Sequence, residues 1–547
     1  MLKAFTFKSW LVALLTAGLV IFAVGCSDDD DDDGPIVTYG PDLLLPANGA
    51  NLDLAANEDV FEWDETSADD VYLIQIAGDA GFAASAIVIE SDVDTNYYEA
   101  QTNKLIIGAE HFWRVAMYDG TELGDWSRVR SFTPTATPIT VDEILTGEIL
   151  TDKTLETGKT YLLRAGVFVG KDDASISPVL TIEPGVTIYG ESATDGMLVI
   201  RRGAQINAVG TSSQPIVFTS DKSSRSRGDW GGVIINGQAS LNTGSEAFGE
   251  GDTGPYGGNI DTDNSGTMRY VRIEFAGREI SPDNELNGLA LQGVGSGTTL
   301  DHIQIHMNKD DGIEFFGGTV EAKYLYVTGC SDDQFDWTDG WRGKGQFWVA
   351  QQYGDDADQG IEADNNGDDN SASPFSHPTI YNITLVGDKQ GEESDIGMLL
   401  REGTQANIYN AIVMNFGDCG IDIDHETTFA NAWSNDGLSG ALTVDYSIFY
   451  ENESTWQTDE DDEATFDFTS EEFISTLNAN NSLAVDPELT NPLSRLAPDF
   501  TPVAGGLAAT KEAKAVPVDD FFEDVNFIGA VDPSANWLAG WTTDAQN

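Results

Sequence analysis

A short unit recurs along much of this chain: Asp or Asn, then Gly, then alternating apolar residues. It stands as Asn287-Gly288-Leu289-Ala290-Leu291, as Asp311-Gly312-Ile313-Glu314-Phe315, and more loosely as Asp333-Gln334-Phe335-Asp336-Trp337. It returns as Gly360-Ile361-Glu362-Ala363, Gly397-Met398-Leu399-Leu400 and Gly420-Ile421-Asp422-Ile423. Successive units are offset by 24, 22, 26, 37 and 23 residues, and the one long offset holds a Gly/Asp/Asn/Ser-rich insertion. A chain with this period must stack its units, because each can bury its apolar face only against the next.

A period of about two dozen residues fits a leucine-rich repeat or a parallel β-helix. One period here holds three β-like runs, 300–305, 312–316 and 322–327, separated by Gly, Asn or Asp. No leucine-rich consensus is present and no amphipathic helix fills the unit. The spacing therefore predicts a right-handed parallel β-helix over 141–547, of roughly a dozen rungs. Gly, Asn and Asp suit the left-handed backbone of its corners. Related phrases extend the pattern upstream, at Leu180 to Ile188, Leu198 to Ile206 and Asp229 to Ile235. Thr469-Ser470-Glu471-Glu472 reads as a helix start over 469–477 that covers a flank or an end. The acidic stretch 451–467 before it reads as an exposed loop.

The first 134 residues are organised differently. Lys3 and Lys8 precede an apolar run from Trp10 to Val24, then Gly25-Cys26. That run is too short to span a bilayer and reads as a leader over 1–25. Ala23-Val24-Gly25-Cys26 resembles a bacterial lipobox, which implies acylation of Cys26. Residues 26–40 form an acidic tether, with Asp28 to Asp33 repelling one another into an extended segment. This arrangement resembles surface-exposed lipoproteins of Bacteroidetes-type bacteria. The resemblance implies the outer membrane, lipid-anchored and facing outward. Over 41–134, short strands with Trp63, Trp113 and Trp126 predict an immunoglobulin-like sandwich. Leu43 to Gly49 and His111 to Val115 resemble bacterial fibronectin type III domains, which implies a spacer.

The 27 Lys+Arg against 92 Asp+Glu give a net charge of −65. Such a surface excludes unassisted nucleic-acid binding and charge-driven docking to anionic lipid. The partners left are the outer membrane, through the anchor, and a glycan or surface-protein ligand. A saline habitat accounts for the acidity equally well.

Thr181 to Val186, Gly228-Asp229-Trp230-Gly231-Gly232, Tyr270 to Gly277 and Gly312 to Gly318 resemble bacterial surface β-helix lipoproteins. More distantly they resemble the pectate-lyase-like superfamily, as do Phe527 to Ala530 and Trp537 to Trp541 near the C-terminus. The resemblance covers about residues 150 to 545 and implies an all-β architecture without implying an activity.

Asp310-Asp311 and Asp332-Asp333 are 22 residues apart, so a β-helix stacks the two pairs at one corner, about 4.8 Å apart. Glu314, Asp336 and Asp339 lie nearby in sequence. Three readings stand open: solvated corner residues, a Ca²⁺ site, or an acid/base set of Asp310, Asp311, Asp332, Asp333 and Asp336. The resemblance implies paired aspartates in β-helix glycosidases and aspartate-bound Ca²⁺ in lyases, but neither full residue set maps onto this chain. Calcium as a structural ion is the one cofactor suggested. Asp355, Asp356, Asp358, Glu362, Asp364, Asp368 and Asp369 crowd one insertion, and Asp261 and Asp263 begin an EF-hand-like loop whose twelfth position is Arg272 rather than Glu. Trp337, Trp341, Trp348 and Tyr353, with Arg342 among them, suggest a sugar-stacking platform, or else rings stacked inside the helix. Cys330 and Cys419 read as free buried thiols. The leading expectation is a non-enzymatic binding or adhesion protein; the alternative is a polysaccharide-degrading lyase or glycoside hydrolase.

Overall fold

The computed structural model describes residues 40–544 except 54–59, 65–70, 94, 101–103, 119–122, 136–138, 282–283, 392, 434–439 and 459. The leader, Cys26 and the aspartate run lie outside the described residues. The rest forms two compact units.

The first unit is antiparallel. Val71–Ala77 lies between Ile87–Val93 and His111–Tyr118, with Leu123–Trp126 beyond the latter. Leu43–Leu45 pairs with Val60–Trp63 in a second sheet. Period-2 alternation buries Tyr72, Ile74, Ile76, Trp113 and Val115. Phe61 meets Trp113 edge-on at 5.0 Å and Trp63 meets Tyr72 at 5.4 Å, so the two sheets share one aromatic core.

The second unit is a parallel β-helix. Twenty-five strands form one continuous sheet wound into three faces. One rung shows the design. Thr299–His306 bends at His302 to supply two faces, and Ile313–Phe316 supplies the third. The next rung repeats this with Glu321–Thr328, bent at Tyr324, and Phe335–Thr338. Ile313, Phe335 and Ile361 stack in register inside the tube, as do Phe315, Trp337 and Ala363. Every second side chain therefore feeds one continuous apolar core.

The bend between the first two faces departs from the Gly/Asn expectation. Tyr270, His302, Tyr324 and Phe347 take it with φ of 49°, 56°, 56° and 60°, before Asn382 and Asn410. A left-handed residue with a side chain costs roughly 1–2 kcal/mol. Stacking offsets that cost here: the ring centroids follow one another at 4.3, 4.4 and 4.9 Å, and Trp537 and Trp541 close over them edge-on.

Those tryptophans belong to a tail that runs back along the outside of the helix. Three side-chain amides clamp it, each giving and taking one backbone hydrogen bond: Asn410 with Lys514, Gln346 with Glu523, and Gln304 with Thr543. Ile528, Ala530, Val531 and Leu538 cover outward Ile412, Val386 and Val349.

The tryptophan-rich segment corrects the platform expectation. Trp337, Trp341 and Trp348 are 0 % exposed and Tyr353 is 1 % exposed. Phe315, Phe335, Trp341 and Trp348 pack together inside the tube, with centroids 4.1 to 6.2 Å apart. Trp337 and Trp348 fall on inward parity, and no surface platform exists among these rings. Arg342 instead pairs with Asp261 at 2.9 Å.

At the far end the helix start expected at Thr469 is present as a capping box with Glu472, and Phe473 and Ile474 enter the core. The acidic stretch before it is not a plain loop. Glu460–Phe466 is helical, and Phe466 stacks on Phe429 at 6.4 Å. Cys330 and Cys419 are buried and free.

A carboxylate column on the third face

The third face has an outward column that changes character along its length. In register it reads Phe168, Val199, Ile234, Ala290, Glu314, Asp336, Glu362, Leu399 and Asp422. Leu286 covers the apolar half, packing with Val199, Ile234 and Ala290. Three successive rungs then present a carboxylate, each about 4.8 Å from the next.

A second column runs beside it at the corner that precedes each strand. Asp311 Oδ1 accepts the Asp333 N–H at 3.0 Å, and Asp333 Oδ1 accepts the Gln359 N–H at 2.6 Å. The 22-residue spacing thus stacks the two aspartates as expected, and each ties its rung to the next. Asn287 begins this column, and its Nδ2 donates to Glu314. The two columns form four overlapping groups of potential ligand atoms lying within 4.8 Å of one another: Asp310/Asp311/Asp332, Asp311/Glu314/Asp336, Asp332/Asp333/Asp358 and Asp333/Asp336/Glu362. All five residues of the expected acid/base set are among them.

These groups are mostly buried, with Asp333 only 4 % exposed. Burial weakens them as acids first, and mutual repulsion adds to it. Burial pushes the Asp310 carboxyl up to about 7, with Asp332 the strongest repelling charge. Asp311, Glu314, Asp333 and Asp336 are held well above the usual carboxylate range for the same two reasons. Burial lifts Glu362 to about 8, opposed by Arg401, which pairs with Glu362 and with Asp364. At the rim, Lys309, Ser331, Asp332, Asp356, Asp358 and Asp395 line a groove of about 470 Å³.

The calcium residues expected from the insertions do not converge. Asp261 accepts from Ser240 and pairs with Arg342, Asp263 is buried against Ser265 and Gln238, and Asp355 pairs with Arg227 at 3.1 Å. Asp364 pairs with Arg401, while Asp356 and Asp358 line the groove. Arginines neutralise Asp261, Asp355 and Asp364, and among the described residues only Asp358 and Glu362 of these candidates join a ligand group. Glu362, expected only as one of the insertion's crowded carboxylates, holds the place of Glu314 and Asp336 in its unit. Asn287 is announced by the same repeat, as the place of Asp311 and Asp333 in the preceding unit, whereas Arg401 and Lys309 carry no such signal.

The corner bond gives a direct test. Asp333→Ala strands the Gln359 N–H, whereas Asp333→Asn keeps an acceptor. Denaturant unfolding is expected to find the alanine variant less stable than the asparagine variant by ~1–3 kcal/mol. Equal stabilities would mean the corner bond carries nothing.

A model of the pectate-lyase-like β-helix domain matches residues 147–542. No curated protein matches the chain. Two solved structures are similar, the catalytic domains of two variants of a GH87 alpha-1,3-glucanase in complex with nigerose. Each is 9% identical, covers 82% of this chain and 96% of its own, and has a TM-score of 0.18. The domain model spans most of the sequence and the tube it describes is the one observed, so this chain belongs to the pectate-lyase-like β-helix domain family.

Proposed function

We propose that this protein is a lipid-anchored β-helix of the bacterial outer membrane, facing outward, that binds a neutral glycan without cleaving it. The lipobox-like Ala23-Val24-Gly25-Cys26 and the aspartate run support the anchor, and the antiparallel first unit serves as a fibronectin-like spacer. The observation that carries the binding reading is the acidic groove that adjoins the carboxylate column through Asp332 and Asp358. Its carboxylates accept hydrogen bonds from sugar hydroxyls and repel polyanions, which matches the net charge of −65.

A second reading, cleavage of a glycosidic bond, is favoured by one feature. Asp310, lifted to about 7, and Glu362, lifted to about 8, hold protons near neutral pH beside other carboxylates, as a general acid must. A glycan array run with reducing-sugar and unsaturated-product assays separates the readings. Binding without product is expected, weakened at least tenfold by Asp332→Asn. Product release abolished by Asp310→Asn would move the function to cleavage, and absence of binding to any neutral glycan would remove the binding reading.

A further inference from the structure

No aromatic residue lines the groove, and the tryptophans of the segment beside it are buried. One ring elsewhere is turned outward. Phe248 is 74 % exposed, more than any other described aromatic residue. It sits in a two-stranded hairpin, Ala247–Gly249 with Gly254–Tyr256, inserted after the third-face strand Gly232–Asn236. Directly paired residues of such a hairpin share a face, so parity decides which way each points. Tyr256 is buried against the tube: its ring lies 6.1 Å from Phe316, and its hydroxyl donates to Asp339 Oδ2 at 3.1 Å. Gly249 has the same parity, and a Cβ there would stand 2.3 Å from the Gln292 amide oxygen. Phe248 and its partner Pro255 therefore face solvent. Three further bonds fix the hairpin. Asn236 Nδ2 donates to the Thr253 carbonyl at 2.9 Å, the Gly257 N–H to the Gly237 carbonyl at 3.0 Å, and the Gly251 N–H to Asn284 Oδ1 at 2.8 Å. A single exposed apolar residue is ordinary on a protein surface. This ring differs in its support and its place: Asn284 immediately precedes Glu285, which lines the groove. The reach of the intervening chain puts Phe248 within about 20 Å of Glu285.

We propose that Phe248 and Pro255 form an outlying subsite that takes the C–H face of a sugar ring, so that the protein recognises an oligosaccharide of several units and not a single sugar. The inference rests on the glycan-binding reading above and names its ligand class. A sugar ring has two kinds of surface. Its hydroxyls donate to the carboxylates of the groove. Its C–H face needs an apolar platform, which the groove lacks and the hairpin supplies. Phe248 and Pro255 carry no charge, while Glu250 and Asp252 in the adjoining turn keep polyanions away, as the groove does. The hairpin is already ordered by its bonds to the tube, so little freedom is lost when a ring stacks on it. Two sites held apart on one rigid body favour a ligand long enough to reach both, because the second contact is made without a second association.

An array of neutral glycans graded from monosaccharides to octasaccharides, probed with the full-length wild type, Phe248→Ala and Phe248→Trp, tests it. The wild type is expected to bind hexasaccharides and longer chains more tightly than disaccharides. Phe248→Ala should weaken binding of those long chains at least tenfold and leave the disaccharides unchanged. Phe248→Trp should keep the long-chain affinity, and the emission of its added indole should shift to the blue when the most tightly bound hexasaccharide of the array is added. Both variants change an exposed side chain, so their melting temperatures should match that of the wild type. Long-chain binding by Phe248→Ala equal to that of the wild type, a loss that is the same at every chain length, or an indole emission that the hexasaccharide leaves unmoved overturns the subsite. Long-chain binding weakened by Asp332→Asn but not by Phe248→Ala would keep the function proposed above and remove the subsite alone. A wild type that binds no neutral glycan removes both.

Discussion

The stability of the cation-free protein is expected to fall by several kcal/mol as pH rises from about 4 to about 8. The direction follows from the buried column. Asp310 and Glu362 ionise near 4 in the unfolded chain but near 7 and 8 in the fold. Between those limits the folded state holds protons that the unfolded state has released, so each step up in pH favours unfolding. The penalty is absent below about 4 and complete above about 8. Asp311, Glu314, Asp333 and Asp336 are raised as well and act in the same direction. Carboxylates lowered by arginine, such as Glu191 beside Arg164 and Asp388 beside Arg495, stabilise above about 4 and lose that contribution only in more acid solution. Denaturant melts in chelator at pH 5 and pH 8 measure the difference. A flat or rising profile would refute the account.

Trp348→Ala is expected to cost ~3–5 kcal/mol, the range for emptying a large aromatic site. Trp348 is fully buried, stacks 4.8 Å from Phe335 and 5.6 Å from Phe315, and donates its Nε1–H to the Ala322 carbonyl at 3.0 Å. Gly345 makes the room: a Cβ there would stand 2.6 Å from the indole. The two positions are therefore coupled. Gly345→Ala should destabilise the wild type and cost far less in a Trp348→Ala background, where the methyl enters the vacated space. Strictly additive effects in a double-mutant cycle would show that the glycine is present for another reason.

The period of the sequence made the tube legible, and the 22-residue step placed Asp311 under Asp333 before any coordinate. The same columns put Glu362 with the others, not merely in an acidic insertion, because Glu314, Asp336 and Glu362 share one place in successive units. The tryptophans were misplaced for a reason within reach of the sequence. Trp337 has the parity of Phe315, which faces inward, so composition suggested a platform where alternation indicated core. Trp341 lies after its strand, where no alternation applies, and only packing sends it inside. Asn287 shares the place of Asp311 and Asp333 in its unit, but Lys309 and Arg401 reach the column from elsewhere in the chain, with no spacing to announce them. The aromatic bend was unreadable too, because the stacking that offsets its left-handed backbone acts between residues far apart in sequence.

The tail clamped by Asn410, Gln346 and Gln304 changes how such a molecule comes into being. A plain stack of repeats can grow, and fray, one neighbour at a time. Here Thr543 bonds Gln304 across 239 positions of sequence, so a later-synthesised segment seals turns translated much earlier. Those turns must wait half-finished on the ribosome, with Tyr270, His302 and Tyr324 uncovered, until the tail arrives. Long-range closure of this kind slows the final folding step, and it also fastens the turns into a unit that resists peeling from the end.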